Sequence, residues 1–143
     1  MASPGSMVLE ALAAEQPAAA LARLGDSPRV VRLVRQLFVV ALRRSFAGHD
    51  VREITGYVHD LLIWLDLPTG GEVAREAEAL IRSALGEVGL AGAIDADRGF
   101  AIMCAVVGDL ARPPGPGAAL LADLIAQAEQ RVDRYGDASP VTR

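Results

Sequence analysis

Lysine is missing from this chain: all 14 basic side chains are arginine. Such a bias is the mark of a GC-rich bacterial genome and says nothing of mechanism. Cysteine is nearly missing too. Cys104 stands alone, which rules out an intramolecular disulfide and any multi-cysteine zinc site, and fits a reducing cytoplasm. Aromatics make up only 4% of the 143 residues, while Ala, Leu and Val dominate, so the composition leans to helix packing rather than a β-sandwich. Long apolar runs are absent as well. The longest uncharged stretches, 99–108 and 113–122, are ten residues each, too short to span a bilayer. The N-terminus has no basic region followed by an apolar core, so no secretory signal is read there.

What is present is ample apolar material. At 52% apolar residues the chain can bury a sizeable core, and its length suits one domain. Residues 1–6, with Gly5-Ser6 before Met7, read as a tag scar or disordered tail; 7–136 read as one helical domain and 137–143 as a frayed tail.

Periodicity predicts an all-α bundle of five main helices, 28–45, 51–65, 72–85, 97–110 and 118–135, preceded by a weak or broken N-terminal helix interrupted at Pro17. Ser27-Pro28 supplies a cap and a proline at the first helical position. Gly48 suits a left-handed stop, and Asp50 with Glu53 has capping-box spacing. Helices 28–45 and 51–65 are expected to form an antiparallel hairpin. Helix 28–45, whose polar stripe is narrow, is expected to be central or to lie at an interface; helix 72–85 is expected to expose Arg75, Glu76, Glu78 and Arg82 on a solvated face, and 97–110, apolar on nearly every side, is the best candidate for the buried centre. The Pro/Gly stretch 113–117 forbids helix, and the last helix could in a minority outcome swap onto a second copy.

Motifs for catalysis are scarce. Neither a nucleotide-binding loop, a zinc-protease motif, a nucleophile elbow nor a calcium loop is found, so no enzyme activity, cofactor or metal is assigned. His49-Asp50 and His59-Asp60 repeat at ten residues, which on a helix sets the imidazoles about 80° apart and about 15 Å along the axis, too far to share one metal. Cys104 sits among Ile102, Met103, Val106 and Val107, an apolar setting that makes a thiol inert. Only Asp60 and Asp109 are placed to face a cleft from helix margins.

Charge is the most informative irregularity. Residues 23–52 hold seven arginines against Asp26 and Asp50, whereas 53–143 hold seven arginines against fourteen carboxylates, within a net charge of −4. A basic segment is thus joined to an acidic remainder. Together with Tyr57 and Trp64, seven residues apart on helix 51–65, this marks Arg32, Arg35, Arg43, Arg44 and Arg52 as a candidate partner surface.

The expected function is a non-enzymatic protein–protein interaction or adaptor module of a bacterial cytoplasm, self-associating as a homodimer or meeting an acidic partner. A nucleic-acid-binding regulator using the arginine-rich segment 28–65 as a helix-turn-helix is the alternative. It is weakened by the acidic whole and by a second helix that offers mainly Arg52, Glu53 and Thr55 to bases. A helical bundle holding a small ligand is the third expectation.

Overall fold

In a computed structural model the described residues are 3–46, 48, 50–65, 67, 71–87, 94–111 and 118–135, with side chains described for all of these but 118–121 and 133–135. Seven helices pack as a single bundle, and no strand occurs among the described residues. They are α1 (Pro4–Leu12), α2 (Pro17–Ala22), α3 (Pro28–Phe46), α4 (Val51–Trp64), α5 (Glu72–Ala84), α6 (Ala96–Ala111) and α7 (Ala118–Tyr135). The five expected helices are all there, with ends within about a residue of those read from the periodicity.

Local chemistry accounts for the starts. Ser27 Oγ accepts from Val30 N at 3.4 Å ahead of α3, and Asp50 Oδ1 accepts from Glu53 N at 3.1 Å ahead of α4. Asp95 caps α6, its Oδ2 accepting from the backbone nitrogens of Asp97 and Arg98. Gly48 holds a φ of +82°, the left-handed geometry that lets the chain turn from α3 into α4.

The N-terminal stretch differs from expectation. Ser3 caps α1 through Ser6 N, and Gly5 is buried beside Glu129 and Ile125 of α7. Residues expected as a tail therefore enter the fold from Ser3 onward. Pro17 starts α2, so the N-terminal signal resolves as a broken pair.

The centre is α3, and here the expectation for α6 is corrected. Val30, Val34, Phe38, Val39 and Leu42 of α3 are fully buried, and α3 packs on α7, α6, α1 and α5. Helix α6 contributes Met103, Cys104, Val106 and Val107 to the core but leaves Ala101 exposed and Phe100, Ile102 and Leu110 half-buried. The reason lies in the neighbours: α3 is covered from several directions, whereas α6 is covered mainly by α2 and α3. Contact with α2 is close, since a Cβ on Gly108 would lie 2.9 Å from the backbone nitrogen of Ala18.

The expected antiparallel hairpin of α3 and α4 is also corrected. Helix α4 has α5 as its main neighbour and does not lie along α3. Its buried residues Ile54, Val58, Leu61 and Leu62 form the expected apolar stripe, and the opposite face is open to solvent. Helix α7 docks on α3 and α1 of its own chain, burying Leu124, Ile125 and Ala128. The linker 113–117, the tail 137–143 and His49 lie outside the described residues.

Candidate interaction face

The seven residues singled out by charge and aromatic spacing separate into three groups. Arg32 and Arg35 are half-buried on α3, and Arg44 is exposed near its end. Arg43 serves the packing of the bundle, because its Nε donates to the carbonyl of Ala84 at 3.3 Å and fills an acceptor that the last turn of α5 leaves open. At about 100° per residue, these four arginines spread over roughly half the circumference of α3 and do not converge on one patch.

Tyr57 and Trp64 separate as well. Tyr57 turns inward: its hydroxyl donates to Asp109 Oδ2 at 2.8 Å, and its ring centroid lies 4.9 Å from that of Phe46 at a 58° tilt. This joins α4 to α6 and to the end of α3, a packing role of the kind tyrosine fills when its polar tip has a partner. Trp64, at the end of the same helix, is 66% exposed, with Ile63 beside it at 58%. A tryptophan left that open in a small domain is exposed apolar surface of the kind that marks contact sites.

Arg52 begins a pattern along the outer face of α4 that only the packing of this helix makes legible. Viewed down the helix, Gly56 and Ile63 fall within about 20° of each other on the line furthest from the core. Arg52 and His59 flank that line on one side, and Glu53 and Asp60 flank it on the other. All six are exposed, and a Cβ added at Gly56 would meet nothing within 4 Å. The signal was present as two charged pairs, Arg52-Glu53 and His59-Asp60, seven residues apart, but reading it required knowing which face of α4 points outward.

Two cavities adjoin the inner side of α4. The larger, of 840 Å³, lies between its last turn, the turn joining α1 to α2, and α6; Trp64, Leu65, Leu9, Leu12 and Gly108 are among its lining residues. Its polar groups are Glu15, Gln16 and Asp109, the last already held by Tyr57. The smaller, of 340 Å³, lies between α4, α5 and α6 and includes Leu62, Leu65, Val73, Glu76, Arg98 and Ile102. Glu76, expected on a solvated face, is instead buried at 8% exposure, because α6 brings Arg98 Nη2 to within 2.8 Å of its Oε2.

No protein family, curated protein or solved structure matches the chain. Its chemistry is therefore read from its own side chains. Among the described residues no group of three or more His, Cys, Asp or Glu is placed to hold a metal ion, and His59 stands on the exposed face of α4. Cys104 is buried, and desolvation pushes its thiol up to about 12, far from the thiolate a nucleophile needs. No described helix is long and apolar enough to cross a membrane. What the site offers is an exposed helix face with sorted charges, an exposed Ile63 and Trp64, and apolar space beneath them.

Proposed function

We propose that the protein is a non-enzymatic interaction module of a bacterial cytoplasm that self-associates through the outer face of α4. The observation that carries this reading is the sorting of charge about the Gly56–Ile63 line, with Ile63 and Trp64 exposed beside it.

The geometry favours one arrangement of two copies over another. If α4 pairs antiparallel with its copy, each flank meets itself, and Glu53 and Asp60 of one protomer face the same carboxylates of its partner. If the two-fold axis runs parallel to α4, the basic flank of each copy meets the acidic flank of the other. Arg52 then approaches the partner's Glu53, His59 approaches the partner's Asp60, and Ile63 meets the partner's Ile63 on the axis. Gly56, with no side chain, lets the two backbones come close. Such pairing resembles the flanking charges that choose orientation in coiled coils.

A 14-residue helix is only about 21 Å long, so this seam is smaller than the roughly 1,000 Å² of a stable interface, and the dimer belongs to the weak, exchanging class. Nucleic-acid binding through residues 28–65 has less support. Arg43 is committed to α5, the α3 arginines diverge, and Arg52 stands beside Glu53.

Light scattering across a concentration series is the test. The expected result is a mass that climbs from 15.0 kDa toward twice that value, accompanied by a blue shift in the emission of Trp64, the one tryptophan in the chain. Ile63→Arg sets like charges on the axis and should hold the mass at one chain. Arg52→Glu with His59→Glu makes both flanks acidic, Glu53→Arg with Asp60→Arg makes both basic, and each should be monomeric alone while the two associate when mixed. A wild-type chain that stays monomeric up to about 1 mM, or a dimer indifferent to Ile63→Arg, would overturn the reading.

A further inference from the structure

The larger cavity, of 840 Å³, owes its size to small side chains. Its walls from the α1–α2 turn and from α6 are mostly alanine and glycine, while Leu61, Trp64 and Leu65 of α4 close another side. Residues this small leave space between helices that bulkier ones would fill. The volume lies in the upper part of the range of small-molecule sites, roughly 300–1,000 Å³. Solvent reaches it directly: Trp64 at its edge is 66% exposed, and Ala13, Ala14, Glu15 and Gln16 are exposed as well.

Charge narrows what it could hold. Among the described residues that line it, the charged ones are Glu15 and Asp109, both acidic, and none is arginine. Glu15 is exposed in the turn. Asp109 is half-buried and accepts from the Tyr57 hydroxyl, a neutral donor that leaves the carboxylate's charge in place. An anionic amphiphile would bring a like charge toward both groups, whereas a cation is attracted by both. Trp64 adds to that preference, because an indole ring attracts cations and also offers apolar area. The remaining wall, with Leu9, Leu12, Leu61 and Leu65, suits a hydrocarbon chain.

We propose that this cavity binds an amphiphilic organic cation, a quaternary ammonium carrying a medium-length alkyl chain. The chain lies against Leu9, Leu12, Leu61 and Leu65, and the charge is held by Glu15, Asp109 and the indole of Trp64. A quaternary nitrogen needs no hydrogen-bond acceptor, so the bond between Tyr57 and Asp109 stays intact. Binding does not require a second copy of the chain.

Calorimetric titration of the full chain with n-octyltrimethylammonium chloride and sodium octanoate tests this. The cation should bind once per chain and at least about tenfold more tightly than octanoate. Emission of Trp64, the one tryptophan, should change with the same midpoint. Glu15→Gln, in an exposed turn where folding is not at stake, should weaken the cation about threefold. Adding Asp109→Asn, which still accepts from Tyr57, should bring cation and octanoate to within about threefold of each other. Trp64→Ala should cost the cation about a further threefold in wild-type background. Light scattering on the same samples reads the mass independently, so failure of the dimer and failure of this site are distinguishable. Octanoate binding as tightly as the cation, a preference that survives loss of both carboxylates, saturation with Trp64 emission unmoved, or no cation binding at about 10 mM would each overturn the proposal.

Discussion

Helices α3 and α4 follow one another in the chain and meet opposite fates. Helix α3 carries Arg29, Arg32, Arg35, Arg43 and Arg44, yet it is the buried axis of the bundle, with Phe38 and Leu42 fully enclosed. Helix α4 carries fewer charges and a long apolar stripe, yet it is peripheral and leaves Ile63 and Trp64 largely in solvent. Apolar content alone therefore does not place a helix. Placement follows from how much of the circumference is apolar and how many neighbours can reach it: buried residues occur on nearly every side of the middle of α3, whereas α4 has one apolar stripe with α5 as its main neighbour.

Truncation should expose this contrast most sharply. Phe38→Ala removes a fully buried ring from α3 and should cost about 3–5 kcal/mol in urea unfolding, while Ile63→Ala on α4 should stay within about 0.5 kcal/mol of wild type at concentrations below self-association. Comparable losses at the two positions would break the comparison.

Polar groups give a smaller version of the same contrast. Gln36, buried at 2% exposure in α3, accepts a hydrogen bond from Arg131 Nε of α7 at 2.9 Å. Arg131→Ala strands that acceptor and should destabilise by about 1–3 kcal/mol, whereas Arg52→Ala on the open face of α4 should change stability by no more than about 0.5 kcal/mol. Thermal unfolding of both variants in parallel checks this.

A pH-dependent effect concerns Cys104, in the core beside these helices. Burial raises its folded-state pKa from 9.0 to about 12, so between those values the unfolded chain releases a proton that the folded chain retains. Its contribution to stability is therefore fully present below pH 9.0 and lost as pH rises toward about 12. Thiol labelling at neutral pH should be slow in the folded chain and rapid in denaturant; fast labelling of the native state would show that the core opens readily at α6.

Much of the fold is legible from local patterns. The Ser27-Pro28 cap, the Gly48 stop, the Asp50 cap and the apolar spacing of α3 to α7 each act over a few residues, so they can be read from neighbours in the chain. The inert Cys104 is legible for the same reason, since its own helix surrounds it with apolar side chains. Tyr57 and Trp64 lie on one side of α4 as their spacing suggests, but their separation into a packed residue and an exposed one depends on Asp109 and Phe46 arriving from other helices. The burial of Glu76 escapes the local pattern because Arg98 lies 22 residues away, and the charge sorting of α4 escapes it because its outward face is set by other helices.

The sequence by itself determined that this chain is helical, where its five main helices begin and end, and which apolar stripe each would bury, because capping and 3.6-residue periodicity are local effects. Only the tertiary structure decided that α3 rather than α6 lies at the centre, that α4 turns away from α3 to present a charge-sorted face, and that Glu76 is buried against Arg98. Those outcomes depend on which surfaces meet across long separations in the chain, and several packings satisfy the same local rules until side-chain shape and burial choose among them.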